Sequence, residues 1–257
     1  MAADTVSAAQ YLAGTKTYRP VNRRVERFFF GGMAVLLCVI VVIGFWPTYF
    51  GAGMARAPLP NRLLHIHGAI FTTWMVLYAV QSALISARRV AWHRSLGTVA
   101  FCLTPVMVVV GTITALNALK RGVQIGPLDP SVSLAIPLIG ITAFSIVIYA
   151  SWRARRRQDA HKRLILLATA GLTEAAFGRF PWAQMGLTPA AGAVAGLGVM
   201  IALLVAYDLF SLHRVHRSTM WAAPFTFITG AFAVPIGMSA AWHGFAGFLA
   251  RHVAVYF

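Results

Sequence analysis

Apolar residues dominate the chain in long blocks, and the blocks have a common length. The first extends from Phe28 to about Phe50 without a charged side chain. Six more follow near residues 64–86, 96–118, 131–152, 163–182, 189–209 and 220–241. Each has about the 20 residues that a helix needs to cross hydrocarbon. The fifth block is interrupted by Glu174 and Arg179. This pattern predicts an all-α, polytopic transmembrane helical bundle of seven spans, one leading helix followed by three hairpins. Residues 1–27 read as a basic cytosolic arm, because Asp4, Gln10 and Lys16 break any signal-like apolar stretch. Residues 28–241 form the transmembrane domain, and 242–257 an external interfacial tail that mixes His243, Arg251 and His252 with apolar residues.

Composition agrees with a lipid environment. Of 257 residues, 59% are hydrophobic and 11% charged, with mean hydropathy +0.72. Soluble domains carry about a quarter charged residues. The 22 Lys and Arg against 6 acids give a net charge of +16. Its distribution reads as a topology signal rather than a nucleic-acid footprint. Sixteen bases fall in the N-terminal arm, at Arg88, Arg89 and Arg94, between Arg153 and Arg163, and at Arg214 and Arg217, with five on the other side. The N-terminus is therefore expected inside and the C-terminus outside, with the basic loops against anionic lipid. Cys38 and Cys102 lie in apolar runs without metal or redox spacing, which excludes a disulfide framework.

Three cytosolic hairpins repeat a His followed by a base just before a span: His93-Arg94, His161-Lys162 and His216-Arg217. A helix N-terminus is locally unfavourable for cations. The repetition is explained either by contacts to lipid phosphates or by a shared anion, haem propionate or metal among His93, His161, His213 and His216.

A second group is expected in the external half. His67, Trp74, Tyr78 and Gln81 are spaced 7, 4 and 3 apart and share one helical face. His65 is turned away from that face. Glu174 lies about a dozen residues into the fifth block, where an ionisable group is costly and usually marks a functional pathway. Arg179 is its expected ion-pair partner, and His243 lies at the same level. His67 and His243 are the candidate metal ligands. Asp208 is expected to cap a helix or pair with Arg214 or Arg217.

The pieces His65-Ile66-His67-Gly68, His93-Arg94-Ser95-Leu96-Gly97 and His161-Lys162-Arg163-Leu164 resemble the H-x-H-G, H-R-x-L-G and H-K-R-L motifs of a group of bacterial multi-span membrane proteins. The His-Arg hairpins are also loosely similar to those of oxidase-assembly and cytochrome b561-like membrane proteins. That resemblance implies the bacterial inner membrane, a haem b or metal ion, and electron transfer or assembly with a respiratory-chain partner. From the residues alone, two alternatives stand beside it. One is a non-redox binding protein or transporter with an external polar cavity, and the other a structural membrane scaffold.

Overall fold

The computed structural model describes residues 22–253. The described residues contain no β-strand, and they are organised as nine α-helices. These are α1 (Arg23–Phe45), α2 (Arg62–Ser86), α3 (Val90–Lys120), α4 (Pro130–Arg153) and α5 (Gln158–Leu172). They continue with α6 (Glu174–Phe177), α7 (Pro189–Leu212), α8 (Arg217–Gly237) and α9 (Ala240–His252). Six of them, α1 to α4, α7 and α8, are long and apolar enough to cross a membrane. Side chains such as Val35, Val99, Ile146, Val199 and Phe232 are exposed, as hydrocarbon surroundings permit. The bases of the arm before Asn22 and the last residues of the tail lie outside the described residues.

Local chemistry starts these helices. Asn22, Asn61, Asp129, Thr188 and Ser239 each accept a backbone N–H of the first turn with their side chains. Pro130 and Pro189 occupy first helical positions, where no amide partner is missed. Helix α4 sits centrally, packed on α3, α5 and α8. At one end, Asn61 donates to Asn117 over 2.8 Å, joining the start of α2 to the end of α3. There too the Trp242 indole donates to the Ser131 carbonyl and ties α9 to α4. With 13 residues α9 is short for a span. It runs across the ends of α3, α4 and α8.

The fifth apolar block departs from the expected continuous helix over 163–182. Helix α5 begins earlier and stops at Leu172, α6 is a single turn, and a 3₁₀ turn follows at Trp182–Met185. The physical cause is local. The Thr173 hydroxyl donates back to the Ala170 carbonyl at 2.6 Å, a pattern that bends helices. Gly178 and Pro181 then prevent the helix from resuming. The segment is held by aromatic side chains instead. Phe177 and Trp182 lie against Gly196 and Gly192 of α7, where a Cβ on either glycine would collide with the ring.

At the basic end a buried ion pair joins three helices. Arg163 on α5 is 1% exposed and meets Asp208 on α7, fully buried, at 2.6 Å. The partner of Asp208 is thus a base from another hairpin, where the sequence pointed to Arg214 or Arg217. Two more donors complete that carboxylate: the His216 N–H at 3.0 Å and the Thr219 hydroxyl at 2.7 Å. The third guanidinium nitrogen bonds the Asp159 carbonyl. Beside it, Lys162 bridges Glu26 of α1 and Asp159, each at 2.6 Å. The pair therefore ties α5, α7 and the start of α8 together.

Removing one partner of such a pair strands the other as a buried charge, which costs about 3–5 kcal/mol. Asp208→Ala should lose that much in detergent unfolding, whereas Arg163→Met with Asp208→Ala should lose clearly less than the sum of the single changes. Additive losses would show that the two side chains are energetically independent.

Candidate functional site

Of the expected histidines of the basic end, His93 and His161 lie within electrostatic reach of each other, and each histidine also has local partners of its own. His93 lies in the first turn of α3, and Gln81 of α2 reaches it across the hairpin. With its amide oriented to satisfy both ends, Gln81 donates to the His93 carbonyl and ring Nδ1 and accepts the Gly97 N–H. Gln81 therefore belongs to this end of the bundle, away from His67. The His161 Nδ1 lies 3.0 Å from the Ser151 hydroxyl and 3.1 Å from its carbonyl, closing the α4–α5 hairpin. His216 caps α8 by accepting the Ser218 N–H at 3.1 Å. His213 ends α7 in a left-handed conformation, φ 53°. Each histidine thus has its own structural task.

The other expected group is divided. Trp74 and Tyr78 are buried, as the stripe requires, with Trp74 edge-on to Phe144 of α4 at 5.7 Å. His67 stacks on Phe71 within its own helix, at 4.2 Å between ring centroids. Its Nδ1 is buried and has no hydrogen-bond partner among the described residues. Arg179 lies within electrostatic reach of His67, packs over the Phe45 ring at 4.1 Å, and donates to the Ala175 carbonyl. The expected Glu174–Arg179 ion pair does not form. The helix ends at Phe177, between the two residues, and Arg179 faces Phe45 of α1 and His67 of α2 while Glu174 faces Gly230 of α8. His243 is on α9, whose packing partners are α3, α4 and α8. Among the described residues, no group of three or more His, Cys, Asp or Glu side chains is placed to hold a metal ion.

Glu174 is a carboxylate that this arrangement leaves unpaired among the described residues. Its carboxylate has no hydrogen bond or ion pair to a described residue, and it rests against Gly230 of α8, where a Cβ would stand 2.7 Å from Oε1. It lines a cavity of about 10 Å³ between α4, α5 and α8, together with Gly140, Phe144, Gly171, Thr226 and Thr229. That volume is about one water. Both threonine hydroxyls donate to carbonyls of their own helix. The cavity is thereby rich in acceptors. Phe144 separates it from Trp74, so the α2 stripe reaches this site only through an aromatic wall.

No family model matches the chain, and no curated protein or solved structure matches it either.

Sequence reading missed the α8 side of the cavity, because Thr226, Thr229 and Gly230 carry no motif. The spacing of Thr226 and Gly230, four apart like a helical turn, is the signal that was available.

His216 gives a testable pH dependence. Burial first, and then the nearby Arg163 guanidinium, push its imidazole below the ordinary 6.5. The folded protein keeps it neutral at pH values where the unfolded chain binds a proton. Stability should therefore be full above 6.5 and fall as pH drops through and below that value. His216→Asn keeps a capping side chain but does not titrate. Unfolding temperatures at pH 7.5 and 5 should show a smaller acid loss for the variant. Equal losses in both proteins would remove His216 from the pH response.

Proposed function

We propose that this is a non-redox binding protein or transporter of the bacterial inner membrane, whose polar site is the Glu174 cavity and whose ligand is a small cation or hydrogen-bond donor. One observation carries the reading: a carboxylate without a hydrogen-bond or ion-pair partner among the described residues, placed at a helix break inside an apolar bundle. Isolated charge is costly at such depth. Discontinuous helices in membrane proteins characteristically occur where backbone and side chains meet a solute. A pure packing role would favour an apolar residue or a completed pair, as at Arg163–Asp208.

In this reading the broken fifth segment, α5 with α6, completes a seventh crossing. The N-terminus is cytosolic, and the basic loops lie against anionic headgroups. The haem or metal suggested by resemblance finds no ligand set at this site, since no histidine or cysteine lines the cavity.

Two measurements test the proposal. Reporter fusions after Arg157 should report the cytosol and fusions after Phe257 the exterior; both on one side would refute seven crossings. Glu174→Gln should abolish saturable binding of butylammonium to the protein in phosphatidylcholine nanodiscs. The same change should stabilise the protein on the order of 1 kcal/mol, because a binding residue is retained at a cost to stability. Unchanged butylammonium binding in this variant, or its absence in the original protein, would overturn the assignment. A Soret band in the purified protein would favour the haem reading instead.

A further inference from the structure

A second and larger concavity adjoins the Glu174 cavity. It is a groove of about 490 Å³ on the outer flank of α4, bounded by Val108 and Thr112 of α3, Phe225 of α8, and Trp242 and Phe245 of α9. Its volume falls within the ~300–1,000 Å³ of small-molecule sites. Ala143 and Thr229 line both spaces, with one side of each facing the groove and another the cavity. The two are therefore neighbouring compartments separated by a methyl group and a threonine.

The walls differ in chemistry. Thr142, Ser145 and Thr229 in the groove donate their hydroxyls to the carbonyls of Leu138, Ile141 and Phe225, at 2.7, 2.7 and 2.8 Å. With those protons committed, the groove presents mainly hydrocarbon. It lies along the membrane-crossing parts of α3, α4 and α8, under a helix tied down by the Trp242–Ser131 bond. The inner compartment instead presents a carboxylate and hydroxyl lone pairs, with no cationic side chain in its lining. An apolar trough thus adjoins an acceptor-rich, negatively charged compartment across Ala143 and Thr229.

We propose that the ligand of Glu174 is an amphiphilic amine that arrives from the lipid, its alkyl chain lying in the α3–α4–α8–α9 groove and its ammonium passing Ala143 and Thr229 to the carboxylate. This rests on the binding role of Glu174 and adds the class of ligand and its route. Charge complementarity selects the head, and the continuous apolar wall selects the tail. A bare polar solute has no use for the groove, whereas burying a methylene of the tail contributes about 0.8 kcal/mol. Chain length should therefore strengthen binding until the groove is filled.

The test uses the full protein in phosphatidylcholine nanodiscs with dodecylamine carrying a terminal diazirine. Photolysis should label peptides containing residues 138–146 and 225–229, and excess butylammonium should compete the label away through the shared head site. Thr142 is exposed in the groove, so Thr142→Trp fills it without disturbing the core. That variant should lose at least tenfold in groove labelling while still binding butylammonium, and Glu174→Gln should lose both. Label spread evenly over lipid-facing helices, or labelling that persists in Thr142→Trp, would overturn the lateral route. If butylammonium binding survives beside that result, only the route fails. If butylammonium does not bind either, the role of Glu174 falls with it.

Discussion

Hydrocarbon offers a backbone amide or a buried charge no alternative partner, and that constraint orders this bundle from its ends inward. Side-chain caps on α1, α2, α4, α7 and α9 occupy amides that the helices cannot bond internally. At the start of α8 the same need is met twice, by the His216 ring and by the Asp208 carboxylate. Asp208 thereby serves as helix cap and as counterion to Arg163. A charge that looks expensive in isolation becomes affordable because all of its lone pairs are engaged in one place.

Glu174 follows from the opposite solution. The fifth block contains the residues that disrupt a span, and the protein accepts the disruption. Thr173 bends the chain, Gly178 and Pro181 stop it, and the rings of Phe177 and Trp182 replace helical continuity with packing on α7. The Trp182 indole also donates to the Phe177 carbonyl at 2.6 Å, which satisfies a backbone group freed by the break. Glu174, at the break, remains as an unpaired carboxylate facing the cavity.

Much of this was legible before any coordinates. Uncharged runs of span length gave six of the expected crossing helices, because length and hydropathy alone determine that outcome. The stripe Trp74–Tyr78 pointed inward as its spacing required. Gln81 shares the face but sits one further turn along the helix, at the level of His93, so a common face did not mean a common site. Asp208 caps a helix as expected, but its counterion differs from the expected one for a related reason. Its sequence neighbours Arg214 and Arg217 were the obvious bases, while Arg163 comes from 45 residues away and is recognisable only once α5 and α7 are adjacent. The division of Glu174 from Arg179 was hidden because it depends on the break at Thr173 and on which neighbour each side chain meets.

The two layers of charge at the basic end respond differently to dissolved ions. Arg163 and Asp208 are sealed from solvent, so mobile ions cannot enter between them. Lys162 bridges to Glu26 at the margin, with side chains 18% and 16% exposed, and to the more open Asp159. At physiological ionic strength the screening length is about 8 Å, and it contracts to about 3 Å at 1 M. Rising salt therefore weakens the electrostatic tether of α1 while leaving that of α5 to α7 and α8 nearly intact. The leading helix is the part of the bundle whose attachment at this end is graded by the surrounding electrolyte.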